Sequence, residues 1–395
     1  MFYKNSSIDF TNLVNENNLK TPLLVYDEEQ LDYTLHKVKN IFSKYDFLKL
    51  SYAVKASYSD FFLNKFSSLG MGCDVASRYE YDLIKDYSFQ FVTTTAPYYS
   101  KEDMIYFSNK NILIDFNSLD QIKQFVSIGI SQEIGLRIRV SFPKWGDRNL
   151  GTYGEESRFG IELNQEIIDY ISDNGLVIKR LHTHTGQMTP ELFIYKVQYL
   201  LEICKFFDTI DTINLGGGLL HLLEDSERTI AALNRIDELL STFYEENQRR
   251  INIIIEPGGA ITLPFGYLVT KVISKQILGN STIVTVDSSA WNFLPWNIYK
   301  VENVSIGSES SSDGIEEKVK IAGCTLFEGD YFGVFDGKIK LHSFPSISVG
   351  DLLVVYASGG YSFTNSRRFN GIEEKVKIAG CTLFEGDYFG VFDGK

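Results

Sequence analysis

Residues able to do chemistry stand where short apolar runs end. Lys55 follows SYAV, Asp74 lies in GCDVAS and Arg137 in IGLRIRV. His182 and His184 fall in RLHTHTG, Gly216, Gly217 and Gly218 in NLGGG, and Glu256 opens EPGG with Gly258 and Gly259. Taken singly, each has a plain structural reading. A lysine at a strand end is usually a solvated charge, a lone histidine a satisfied core residue, three glycines a tight turn, and an acid before proline a surface group. Burial changes the argument. An amine behind an apolar strand has its pKa depressed and becomes a usable nucleophile. Glycines let backbone N–H groups approach a phosphate without a Cβ in the way. A carboxylate directly after INIII starts in a buried setting and wants a cationic partner. The set offers an amine for an aldehyde, a flat imidazole, a phosphate cradle and a buried acid. Those are the needs of pyridoxal phosphate, whose ring is an electron sink when its nitrogen stays protonated.

The elements that must position these groups follow from periodicity. Eight β-branched runs, at 51–56, 72–77, 91–96, 111–116, 134–140, 177–185, 212–218 and 252–259, alternate with amphipathic stretches such as SDFFLNKFSSL, RYEYDLIKDY, SLDQIKQFVSI, QEIIDYISD and ELFIYKVQYLLEICKFF. Eight strands alternating with helices predict an α/β fold, a (β/α)8 TIM-like barrel over 31–262, whose reactive groups gather at the C-terminal strand ends. A doubly wound sheet is the alternative. Beyond residue 262 helical patterning fades and strands with turn signals predict an all-β domain, barrel or sandwich, over 263–370. Residues 1–30 contribute an N-terminal strand segment, assigned to that β-domain. Residues 371–395 repeat 314–338 letter for letter. Diverged structural repeats would not stay identical, so this is read as a recent duplication or an assembly artefact, a tail with no docking site of its own.

Composition bounds the class. The 395 residues carry 38 Lys and Arg against 51 Asp and Glu, a net charge of −13, which disfavours nucleic acid as a partner. No apolar run nears the roughly 18 residues of a membrane span. The opening MFYKNSSIDF lacks the apolar centre of a secretory signal. None of Cys73, Cys204, Cys324 and Cys381 forms a CxxC pair, so no metal site is expected. The expectation is a reduced, cytoplasmic protein.

In order along the chain, YAVKA, CDVASRYE, HTHTG, NLGGG, EPG and SGGYSF resemble the fold-type III pyridoxal-phosphate decarboxylases acting on diaminopimelate, ornithine, arginine and carboxynorspermidine, over about residues 20–371. The resemblance implies a cofactor-carrying barrel, a C-terminal β-domain and a head-to-tail homodimer with active sites at the subunit interface. It implies that Lys55 forms the internal aldimine, that Asp74 and Glu80 lie near it, and that Arg137 approaches the cofactor's 3′-oxygen. His184 would stack on the pyridine face and Glu256 pair with its nitrogen. Gly217, Gly218, Gly258, Gly259, Gln187 and Tyr361 would surround the phosphate. The implied reaction is decarboxylation of an amino acid.

Departures from the pattern matter as much. Gly259 stands where the family usually has a phosphate-binding arginine, and Gln187 where a serine is common. EPGGAI followed by FGYLV is close to the carboxynorspermidine branch, which also lacks the arginine. In GCTLFEGD, Leu326 replaces the cysteine that protonates Cα, and Phe327 the acid that meets a distal amine. Cys324, two residues away on the same face of a strand, is the substitute candidate, with Lys55 and His184 the other catalytic candidates. Tyr361 or water could also supply the proton. Asp287 and Glu328 could bind a substrate cation, with Trp291 and Phe293 lining the pocket. These changes favour a specialised amino-acid substrate. A carboxynorspermidine-type polyamine decarboxylase and a non-catalytic regulatory homologue are the alternatives.

Overall fold

The computed structural model describes residues 7–130, 133–141, 157–279, 281–292, 300–305, 316–335, 337–367, 369–371 and 375–379. Phe293 and most of the repeated tail therefore lie outside the described residues. The chain forms two compact units, one of residues 36–260 and one of residues 3–35 with 261–395. The first strand, β1 (Leu23–Asp27), belongs to the latter.

Residues 36–260 hold a closed barrel of parallel strands: β2 (Leu48–Ala53), β3 (Gly72–Val75), β4 (Val92–Thr95), β5 (Ile114–Phe116), β6 (Ile134–Arg137), β7 (Ile178–His182), β8 (Thr212–Asn214) and β9 (Asn252–Ile255). Pairing of β2 with both β3 and β9 closes it. Each of the eight apolar runs becomes one strand, and the amphipathic stretches become the helices between them, including Asp60–Ser68, Leu119–Ile128 and Pro190–Cys204. Side-chain caps start five of the helices in this unit: Ser77, Ser100, Ser118, Asn164 and Thr189 each accept a backbone N–H from the first turn. Because every strand is parallel, all C-terminal ends share one rim.

The barrel wall contains charge. Asp115 on β5 and Arg180 on β7 share a cross-strand line with Gly135 of the intervening β6. A Cβ on Gly135 would fall 1.8 Å from Asp115 Oδ1, so only glycine leaves room for the pair. Arg180 Nε then donates to both Asp115 oxygens at 2.9 and 3.1 Å, Thr95 Oγ1 donates to Oδ2, and Arg180 also reaches Leu113 O. All three side chains are buried.

The other unit is a mixed sheet built on the long β10 (Gly266–Leu278), which pairs with β1, β11 (Ser281–Val286) and β17 (Leu352–Val355). The sheet also holds β12 (Val301–Asn303), β13 (Glu317–Ala322) and β16 (His342–Phe344), while β14 (Val334–Phe335) and β15 (Lys338–Ile339) form a separate hairpin. Phe10, Val14, Leu23, Val25, Tyr267, Val269, Leu352 and Val354 form its core. The repeated tail has a seat after all: β18 (Lys375–Ala379) runs parallel to β1, from Leu23 opposite Lys375 to Asp27 opposite Ala379. The physical reason is that β1 offers a second edge beyond its pairing with β10. No described helix is long and apolar enough to cross a membrane.

Candidate active site

The barrel rim brings together most of the residues singled out above. Lys55 lies just past β2, in a 3-10 turn over Val54–Ala56 rather than on the strand itself. Its side chain is 45% exposed, whereas Asp74 on β3 is 2% exposed, and the two meet at 3.1 Å. The amine is thus accessible while its carboxylate partner is sealed. Thr93 Oγ1 donates to the other Asp74 oxygen at 3.0 Å. Burial first, then the nearby Glu256 charge, raises the Asp74 pKa above the usual carboxylate range, and Lys55 opposes the shift. Glu80, whose Oε2 accepts the Ala76 N–H at 2.6 Å, is raised by burial as well.

Glu256 follows β9 directly and is buried. Asn214, the last residue of β8, donates to its Oε1 at 2.6 Å, and His182 Nε2 approaches the same oxygen at 3.5 Å without forming a hydrogen bond. Asn214 also accepts the Gly216 N–H through Oδ1 at 3.0 Å. One amide therefore ties the buried acid to the glycine loop. The next proline, Pro257, accepts the Ala53 N–H at 3.0 Å, which fastens the loop carrying Gly258 and Gly259 to the end of β2, beside Lys55.

The glycines are required by geometry. Gly218 has φ +92°, and a Cβ there would lie 1.8 Å from Gly186 O. A Cβ on Gly217 would lie 2.9 Å from Glu256 O. Gly217 N–H donates to His184 Nδ1 at 3.2 Å, which fixes the imidazole plane and leaves its proton on Nε2. Burial drives the pKa values of His182 and His184 well below the ordinary histidine value, so both rings are neutral. Gln187 spends its Oε1 on the Leu220 N–H at 3.2 Å. Arg137 ends β6 with its guanidinium 4.5 Å from the Phe159 ring centre, its pKa lowered by burial.

Two partners were not singled out from sequence. Asn214 is one, and its signal is an amide directly before LGGG. The other is Lys196, 1% exposed within helix Pro190–Cys204, whose Nζ donates to Leu215 O at 2.6 Å and contacts Met188 Sδ at 3.2 Å. Its spacing three after Phe193 and four before Leu200 puts it on the apolar face, a signal visible in the sequence.

The remaining candidates belong to the β-unit. Asp287 is held there: Oδ1 accepts from Thr270 Oγ1 at 2.6 Å and Lys271 N–H at 2.9 Å, and Oδ2 from Thr21 Oγ1 at 2.6 Å. Glu328 is exposed. The strand argument for Cys324 does not hold, because β13 ends at Ala322. The chain there wraps round the buried Asp330 carboxylate, which accepts from Ser289 Oγ, Ala290 N–H and both Thr325 donors. Cys324 turns its Sγ to Ser288 O at 3.4 Å, while Leu326 is 89% exposed. Trp291 stacks on Phe327 at 4.0 Å, with Arg367 4.5 Å from the Trp291 ring. Tyr361 adopts a left-handed φ of +61° after Gly359 and Gly360.

The barrel rim fits the cofactor inferred from its residue types. It has an exposed amine on a buried acid, glycines that only a missing Cβ permits, and buried hydroxyls, Thr183 Oγ1 and Thr185 Oγ1, with no hydrogen-bond partner among the described residues. Among the described residues no cluster could hold a metal ion.

Comparison with known proteins agrees. Residues 31–263 match the family profile described as pyridoxal-dependent decarboxylase, pyridoxal binding domain. The chain is 26% identical over 372 residues to a diaminopimelate decarboxylase of Buchnera aphidicola subsp. Baizongia pistaciae, covering 89% of this chain and 86% of that protein. The Methanocaldococcus jannaschii diaminopimelate decarboxylase is 23% identical over 384 residues, covering 89% and 84%. Among solved structures, a diaminopimelate decarboxylase from M. jannaschii in complex with L-lysine superposes with a TM-score of 0.77 at 20% identity, over 94% of this chain and 89% of that one. The arginine decarboxylase of Paramecium bursaria Chlorella virus bound to agmatine gives 0.78 at 15% identity, over 94% and 100%.

Proposed function

We propose, from the premise that this chain belongs to the pyridoxal-dependent decarboxylases, that its barrel rim decarboxylates a specialised amino acid with Lys55 as the amine that holds the cofactor. The cofactor is pyridoxal phosphate and the reaction is a carboxy-lyase reaction. When bound, pyridoxal phosphate supplies an aldehyde for the substrate amine and a cationic ring that takes up the electron pair left at Cα as carbon dioxide departs.

The chain's own groups do the rest. Asp74 Oδ2, its pKa raised by burial, takes a proton from Lys55 Nζ and returns it, so that Lys55 can act as a free amine. Glu256, oriented by Asn214, keeps a proton on the ring nitrogen by charge. His184, locked by the Gly217 N–H and neutral, offers a flat face and an Nε2–H. Arg137 would hold the anionic ring oxygen, while Gly217, Gly218, Gly258 and Gly259 would admit the phosphate and Gln187 would donate to it. The observation that carries this reading is the half-exposed Lys55 amine paired with the sealed Asp74 carboxylate.

The β-unit supports a substrate unlike ornithine. The turn bearing Leu326 and Phe327 offers apolar side chains, and Asp287 has both oxygens engaged, which leaves Glu328 as its exposed acid for a substrate cation. The proposal includes the homodimer that the resemblance implies, in which the exposed Leu326 would be one apolar side chain for the partner to cover. The buried thiols of Cys73 and Cys204 suit the cytoplasm.

Borohydride reduction of the purified protein, followed by digestion and mass spectrometry, tests the assignment. A pyridoxyl group on Lys55, lost in Lys55→Ala, is expected, with carbon dioxide release from one member of an amino-acid panel that includes diaminopimelate, ornithine, arginine and carboxynorspermidine. Release from carboxynorspermidine alone would point to the polyamine branch. An unlabelled Lys55 after incubation with excess cofactor would leave the regulatory reading.

A further inference from the structure

We propose that Lys196 is a cofactor anchor, a buried cation placed behind the glycine loop that balances the phosphate charge where Gly259 has no side chain to do so. The proposal rests on the function given above. Its geometry is specific. Lys196 Nζ donates to Leu215 O, the carbonyl directly before Gly216, at 2.6 Å. It also touches Met188 Sδ at 3.2 Å, and Met188 N–H donates to Gly218 O at 2.8 Å. The ammonium thus bonds the carbonyl that enters the segment Gly216–Gly218 and touches the side chain of Met188, whose backbone N–H holds the segment's last carbonyl.

Among the described residues no carboxylate forms an ion pair with this lysine, which is 1% exposed on the apolar face of a helix. Its two contacts are a neutral carbonyl and a thioether, and neither is a counter-ion for a buried charge. The charged groups that act on it are Glu256, which favours the ammonium, and Arg137, which opposes it. His184 and His182 are neutral. Burial brings the Lys196 pKa down to about 7. An anion arriving at the glycine loop would restore the charge, so binding of a phosphate draws in a proton.

The test compares pyridoxal phosphate with pyridoxal, which lacks the phosphate, on the full chain freed of cofactor by hydroxylamine. In Lys196→Met, affinity for pyridoxal phosphate should fall at least about tenfold while that for pyridoxal changes less than about twofold. A structural role would weaken both alike. Calorimetry of the wild type at pH 8, in buffers of different ionisation heat, supplies a second readout that needs no variant. Pyridoxal phosphate should take up more protons than pyridoxal, and Lys196→Met should abolish the difference. Equal loss of both ligands, or no extra proton uptake while Lys55 still forms its adduct, would overturn the anchor and spare the function. A wild type that binds neither ligand at Lys55 would overturn both.

Discussion

At the residue scale, Gly218 and Lys196 carry opposite kinds of constraint. Gly218 is irreplaceable for want of space, since its φ of +92° and the Gly186 carbonyl at 1.8 Å leave nowhere for a Cβ. Gly218→Ala is expected to lose cofactor binding and to lower the unfolding free energy by about 2 kcal/mol or more, read from urea midpoints. Lys196 and Asp74 instead make stability depend on pH in the cofactor-free protein. The Lys196 pKa falls from 10.5 to about 7 on folding, so the unfolded chain binds the extra proton between those values and stability rises with pH across them. The Asp74 pKa rises above its ordinary value of 3.8, so the folded state holds the extra proton and stability falls as pH climbs from there through the folded pKa. Urea midpoints across the pH range should therefore dip near neutrality. Lys196→Met should flatten the alkaline limb and Asp74→Asn the acid one; an unchanged profile in both would contradict the burial argument. Lys55, His184, the glycines and Glu256 stand out because each follows an apolar run, and Asp74 because it interrupts one. Lys196 does not, since a lysine among helical residues reads as a solvated charge until its spacing from Phe193 and Leu200 is counted.

At the scale of elements, the barrel was legible because hydrophobic runs and amphipathic stretches alternate with the right lengths. What periodicity hides is the polar line inside the wall. Arg180 stands in a strand buried on both faces, which should have marked it, but its partner Asp115 lies on a strand two places away and meets it only across Gly135. Arg180→Met leaves the Asp115 carboxylate buried with Thr95 as its remaining side-chain donor, and a loss of about 3–5 kcal/mol in unfolding free energy is expected. Pairing it with Asp115→Asn should recover part of that loss. The turn after β13 shows the converse: the strand geometry that would put Cys324 and Leu326 on one face stops at Ala322, because the Asp330 carboxylate gathers four donors and bends the chain. Hydrogen bonds to one acid outweighed local propensity there.

At the scale of the whole molecule, the cofactor residues Lys55 to Gly259 all belong to residues 36–260, whereas β18 belongs to the other unit. A chain ending at Asn370 should accordingly keep the pyridoxyl adduct on Lys55, while its thermal midpoint drops because β1 loses a paired edge. The repeat also makes a statement about folding rates. KVKIA occurs in β13, between β11 and β16, and again in β18, against β1 alone. The slot beside β11 thus has two identical claimants, one nearer along the chain. Loop closure favours the nearer one by only about 0.8 kcal/mol, so roughly one chain in five first threads the later copy and must back out. Refolding should split into a fast and a slow population, and removing the second copy should merge them into a single exponential.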